Sequence, residues 1–318
     1  MAAKEIIQEL KSKVMPKGGL KAVFFVGCGG SQAALYSANY LMKTEAKNIA
    51  TSLTNSNEFV HATPAALDDR CACIFCSQKA TPETVKAVET ANERGAFTIA
   101  LTGSPETLMA KTAQHFLTYT VRSKGNQATS LKLVFEILHQ FEEYPYYEEA
   151  MAAYDKIDAV VEKGLEVIMP TAKQWAVDYK DDPLFYVLGC GNLYASAYTM
   201  ACCHLMEMQW KHTVMLHSGE YFHGPFETTD KNLPIVLLKG VGKTRPLDER
   251  VERFLSQYAE RYVVVDTKDF GIEDLGEHVA EYFNATVMIT IERELVYQMS
   301  LITEHPMETR RYMWQFEY

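Results

Sequence analysis

AVFFVGCGGSQAALYSANYL at residues 22–41 and LFYVLGCGNLYASAYTMACC at residues 184–203 each run an apolar strand into Gly-Cys-Gly and then into a helix. Gly27 and Gly189 stand 162 positions apart (189 − 27), the length of a duplicated domain. The segments downstream correspond too. CIFCSQKATPETVKAVE from Cys73 and IVLLKGVGKTRPLDERVERF from Ile235 each read as a strand, a loop holding Thr and Pro, and a charged amphipathic helix. Further strands follow at FTIALTG from Phe97 and YVVVDT from Tyr262. Short strands that are apolar on both faces and alternate with helices predict parallel sheets covered on both sides. The expected class is α/β, with two tandem three-layer α/β/α sandwiches: a first domain at 1–145, a connecting helix at 146–168 and a second domain with a C-terminal tail at 169–318.

Composition narrows the function. The chain has 318 residues, 47% hydrophobic and 23% charged, with a net charge of −10. An acidic protein lacks the basic footprint of a nucleic-acid binder, so a phosphorylated substrate would need local donors. No apolar run reaches the roughly 18 residues of a membrane span, and MAAKEIIQELKSKV reads as an amphipathic helix rather than a signal peptide. A cytoplasmic location is expected, and the odd count of seven cysteines fits free thiols in a reducing compartment. In RCACIFCS, strand alternation points Cys71 and Cys73 away from Cys76, which argues against a metal site.

Two loops offer anion donors. Gly27, Cys28, Gly29, Gly30 and Ser31 end a strand and open a helix, where free amides and the helix dipole favour negative charge. A nicotinamide cofactor is disfavoured, because GxGxxG requires Gly where Gln32 stands and no acid ends the next strand near Thr51 to Thr54. No cofactor is expected. Ser77, Gln78, Lys79, Ala80 and Thr81 form the second loop, which suits a phosphate monoester or, equally, N-capping with Glu83 in the first turn. Ser123, Lys124, Asn126, Gln127, Thr129 and Ser130 make a third polar loop, either a closure over a sugar or a solvated connection.

The chemistry-bearing residues cluster between Glu207 and Glu227. Tyr194 to Trp210 is apolar on nearly every face, so this helix is expected to be buried and Glu207 with it, its pKa raised. His204, at i−3, would face the same side and tune it. The polar turn that follows carries Ser218, Gly219, Glu220, His223, Gly224 and Pro225. His223 could move protons near neutral pH, or only stabilise a turn that Pro225 carries into a helix. Glu220 either reacts or holds the turn through backbone hydrogen bonds.

These features together, SGEYFHGP above all, resemble the sugar isomerase (SIS) domain family over nearly the whole chain. The resemblance implies five-stranded parallel sheets that bind phosphosugars. In the tandem SIS half of glucosamine-6-phosphate synthase a helical Glu precedes the His of GE(x)xHGP by 16 positions, and here 223 − 207 is 16. A closer resemblance is to the bacterial fructosamine deglycases, through LDDRCA at 67–72, LMExxWxH at 205–212, SGExxHGPxE at 218–227, and RRY at 310–312 before a terminal EY. One motif departs: SQKATPET replaces the usual SxSGxT, with Ala80 at the glycine.

The resemblance implies a deglycase acting on a 6-phosphorylated sugar-amine adduct. Glu207 would move the carbon-bound proton and His223 would open the ring. Gly29, Gly30, Ser31, Ser77, Gln78, Lys79, Thr81, Thr129 and Arg311 would bind substrate and phosphate, and His204 and Glu220 would support. It also implies a homodimer or higher homo-oligomer with a shared site. An aldose-ketose isomerase and a non-catalytic sugar-phosphate sensor are the rival readings.

Overall fold

A computed structural model of the chain describes residues 2–120 and 125–317. It divides into two compact units, Met1–Asp155 and Lys156–Tyr318. The first begins with the amphipathic helix α1 (Ala3–Val14), which buries Ile6, Ile7 and Leu10. There follow β1 (Ala22–Gly27), α2 (Gly29–Glu45), β2 (Ala50–Asn55), α3 (Ser56–His61), β3 (Cys71–Cys76), α4 (Pro82–Glu93), β4 (Phe97–Thr102), α5 (Leu108–Thr112), β5 (His115–Thr118) and α6 (Asn126–Glu142).

The five strands are parallel and ordered β2-β1-β3-β4-β5. The central β1, β3 and β4 are buried at every position, which is why they read as continuous apolar runs. Phe59 of α3 packs edge-to-face on Phe24 and Phe75, and Cys71 and Cys73 join that cluster as strand parity predicts. Register matters most for the site: Gly27 lies opposite both Asn55 and Cys76, so β1, β2 and β3 end on one line.

The 33-residue helix α7 (Tyr147–Tyr179) leads from the first unit into the second. Next come β6 (Leu184–Gly189), a 3-10 turn (Gly191–Leu193), α8 (Tyr194–Tyr198), a π-helix (Thr199–Met208) and β7 (His212–His217). The remaining regular elements are β8 (Ile235–Lys239), α9 (Arg245–Tyr258), β9 (Tyr262–Asp266) and α10 (Ala280–Ile302).

The parallel order β7-β6-β8-β9 repeats that of the first four strands. Here the expected five-stranded sheet has four. After β9 the Asp266 side chain accepts from Lys268 N and starts a 3-10 turn, and Gly271 (φ 76) and Gly276 (φ 123) turn the chain into α10 before a fifth strand can form. Among the described residues no helix is long and apolar enough to cross a membrane.

Candidate active site

In the first unit, the first turn of α2, the residue after β5 and the start of α6 converge on the Cys76 thiol at the end of β3. Ser31, Tyr119 and Asn126 all direct polar groups at it, and burial pushes the thiol up to about 11. No side chain caps α2, and Gly29, at φ 56, has nothing within 4 Å of where a Cβ would stand. The N-terminus of this 17-residue helix is therefore open to an anion.

The neighbouring loop is built by its own hydroxyls. Ser77 is buried and accepts from Thr81 N at 3.0 Å, while Thr81 Oγ1 meets Thr84 Oγ1 at 3.1 Å instead of capping α4. The capping-box reading is not what forms. Ala80 takes φ 54, the left-handed conformation for which the usual glycine of this motif is suited. Gln78 and Lys79 are exposed. Thr129 donates its hydroxyl to Gly125 O at 2.8 Å, so its polar group serves the helix rather than a ligand. Ser123 and Lys124 lie outside the described residues. The buried Gln127, whose amide nitrogen and oxygen have no partner among the described residues, was missing from the expected site set; its only sequence signal was its place in the polar loop.

The second repeat fills the matching space. Gly191 also has positive φ (52), but a Cβ there would meet Thr244 Oγ1 at 2.2 Å. Asp248, in the first turn of α9, is 1% exposed and accepts from Cys190 Sγ at 3.1 Å and Ser218 Oγ at 2.6 Å. Burial raises its carboxyl to about 6 despite these donors.

Glu207 departs from expectation. The helix from Tyr194 to Trp210 is not one apolar α-helix; it passes from α8 into a ten-residue π-helix. Glu207 is part-exposed at 23% and pairs through Oε1 with Arg310 Nη2 at 2.7 Å. Arg310 is held in turn by the carbonyls of Met307 and Thr309 at 2.7 and 2.9 Å. Arg311, the expected ligand, instead places its guanidinium 4.2 Å over the Trp210 ring. His204 does not face Glu207 either. In a helix bonded i to i+5, the residue at i−3 falls off the shared face, and His204 Nδ1 meets Glu292 Oε2 of α10 at 3.1 Å. The residue at i−4, Cys203, is the neighbour: burial, with the charges of Glu207 and Glu292, pushes its thiol up to about 12.

His223 is exposed on the turn after β7. Glu220 N and Tyr221 N donate to His217 O at 2.8 and 3.1 Å, and His223 N donates to Glu220 O at 3.0 Å. Gly224, at φ 123, hands the chain to a 3-10 helix that Pro225 opens. The turn is anchored by Tyr221, fully buried against Phe222, Phe226 and Phe254.

The Glu220 side chain is exposed; His217 Nδ1 accepts from Gly219 N at 3.0 Å, and burial lowers the His217 pKa against the opposing charge of Glu220, favouring that neutral acceptor. No hydrogen bond or ion pair links Glu207 to His223 among the described residues. The turn leaves the imidazole exposed, and Arg310 meets the Glu207 carboxylate through Oε1.

A family model described as SIS domain matches residues 20–139. Fructosamine deglycase FrlB of Bacillus subtilis is 36% identical, spanning 98% of this chain and 95% of that protein. Fructoselysine 6-phosphate deglycase of Escherichia coli K12 is 25% identical, spanning 94% and 87%. A crystal structure from Salmonella typhimurium LT2, assigned to the phosphosugar isomerases, superposes with a TM-score of 0.93 at 37% identity over 99% of both chains. With a full-length relative at this identity and the doubled sheet in place, the chain belongs to the SIS-domain family, in the branch that holds the bacterial fructosamine deglycases.

Proposed function

We propose that the protein is a cytoplasmic deglycase that cleaves a 6-phosphorylated Amadori compound, such as fructoselysine 6-phosphate or glucoselysine 6-phosphate, to an aldose phosphate and a free amine. The observation that carries this reading is the presence of both a part-exposed, arginine-held Glu207 and an exposed His223 on a hydrogen-bonded turn, in a chain 36% identical to a fructosamine deglycase. Within the first unit, the Gly29 and Gly30 amides, Ser31, and the Ser77–Thr81 loop, with Gln78 and Lys79 on its exposed side, offer donors suited to a phosphate.

His223 transfers the proton that opens the sugar ring. Glu207, oriented by Arg310, takes a proton from C1 of the open 1-amino ketose and returns it at C2, while O2 gains a proton and the amine nitrogen loses one, so that the amino ketone becomes an imine at C1 with a hydroxyl at C2. Water then adds to the imine carbon, and the C–N bond breaks to leave the aldose phosphate and the amine. The Arg310 contact at 2.7 Å orients the carboxylate for this shuttle. We assign the active form to a homodimer in which the exposed His223 serves a shared site.

Purified protein should release glucose 6-phosphate from fructoselysine 6-phosphate, and Glu207→Gln should abolish that release while leaving phosphosugar binding in place. Interconversion of simple sugar phosphates without amine release would move the assignment to an isomerase, and binding without turnover would move it to a sensor. Mixing Glu207→Gln chains with His223→Asn chains tests the shared site: recovered activity supports it and none rejects it.

A further inference from the structure

A π-helix of ten residues is unusual, because i to i+5 bonding is rarer than i to i+4 and appears mostly as single turns. Its register decides where Glu207 points. Slipping one residue into α-helical register would rotate every later side chain by roughly 100° about the helix axis. Something outside the helix must therefore select the longer register.

Among the described residues, Thr199 and Cys202 bond back to Ala195 O and the Tyr198 side chain in α8, and Thr213 of β7 donates to Ala201 O at 3.4 Å, while two side chains of Thr199–Met208 make bonds to elements beyond α8: Glu207 to Arg310 and His204 to Glu292. The first engages the reacting carboxylate itself, so it is not independent of substrate. The second is wholly internal: His204 is 4% exposed, Glu292 is 0% exposed, and they meet at 3.1 Å.

This buried pair is an expensive way to gain stability. Glu292 Oε1 has no partner among the described residues, burial raises the pKa of its carboxyl, and apolar replacements of buried ion pairs are often neutral or stabilising. A directional bond from a fixed acid on α10, however, fits His204 in one helical register and not in its neighbour.

We propose that His204 and Glu292 are a positioning pair: they hold the π register and so aim Glu207, which rests on the assignment of Glu207 as the proton shuttle. The pair does not touch substrate.

The test replaces Glu292 with Leu, which keeps the core filled, and with Gln, which keeps a hydrogen bond to the imidazole. Two readouts are followed in the full chain: hydrogen–deuterium exchange of peptides covering residues 199–210, and steady-state turnover of fructoselysine 6-phosphate. In Glu292→Leu, exchange there should rise at least about tenfold, the equivalent of about 1.4 kcal/mol of lost holding, while β6 and β8 stay protected. Its kcat should fall at least about tenfold with KM within about twofold. Glu292→Gln should recover both. His204→Leu removes the same bond from the other side and must reproduce Glu292→Leu.

Unchanged exchange in Glu292→Leu overturns the register role, as does raised exchange with wild-type kcat, or divergence between the two Leu variants. If the wild-type protein does not turn over the substrate, the deglycase reading fails by itself and the exchange measurement still decides whether the pair holds the register.

Discussion

Asp248→Asn should stabilise the second unit, and by an amount that grows with pH. The wild-type carboxyl titrates near 6 in the folded chain against 3.8 for an ordinary aspartate, chiefly because it is buried. The gap, at about 1.4 kcal/mol per pKa unit, is worth about 3 kcal/mol. For an acid whose folded pKa is raised, the stabilisation is complete below the unfolded value and lost as pH rises through the folded one. Wild-type protein thus loses stability from pH 3.8 to somewhat above 6, as the buried group is forced to ionise. Asn does not titrate, so the advantage of the variant should widen by about 1.4 kcal/mol between pH 5 and pH 8, roughly half the full span.

Comparing the two proteins at each pH cancels every other titrating group. Trp175, Trp210 and Trp314 all lie in Lys156–Tyr318, so urea denaturation followed by tryptophan fluorescence reads this unit alone. A gap that does not change with pH would refute the reasoning, as would wild type gaining on the variant as pH rises.

Arg310→Met should lower kcat by about ten- to a hundredfold, the equivalent of about 1.4–2.7 kcal/mol for a largely buried, charge-assisted bond, and Arg310→Lys should recover only part because it lacks the planar fork. Unchanged kcat in Arg310→Met would show that the arginine does not orient Glu207. Gly191→Ala should cost about 2–4 kcal/mol by calorimetry, since left-handed backbone strain adds to a collision with Thr244, whereas Gly29→Ala should cost about 1–2 kcal/mol from strain alone. Equal losses would mean that the first loop is as obstructed as the second.

What was legible in the sequence follows from physical contrast. β1, β3, β4, β6 and β8 stand out because buried strands of parallel sheets are apolar at consecutive positions. β5 and β7, at sheet edges, mix exposed and part-buried positions and carry no such run, which left HTVMLH unread as a strand. The π-helix escaped because TMACCHLMEM is apolar all round, and a segment without a polar stripe does not reveal whether its turns close at i+4 or i+5.

That one departure explains both the misplaced His204 and the expected burial of Glu207. Arg310 and Arg311 were adjacent and chemically identical in the sequence; only the turn through Met307 and Thr309 determines which one reaches the acid. Asp248 gave no signal, because a single acid in the charged helix RPLDERVERF looks solvated until its neighbours are known.

The contrast between the open Gly29 and the crowded Gly191 bears on stoichiometry. Through Asp248 the second repeat carries a tethered anion of its own against Cys190, and Thr244 occupies the space above the glycine. Duplication has doubled the sheet without doubling the capacity: a titration with inorganic phosphate should saturate at one equivalent per chain, with Asp248 as the permanent resident of the other berth.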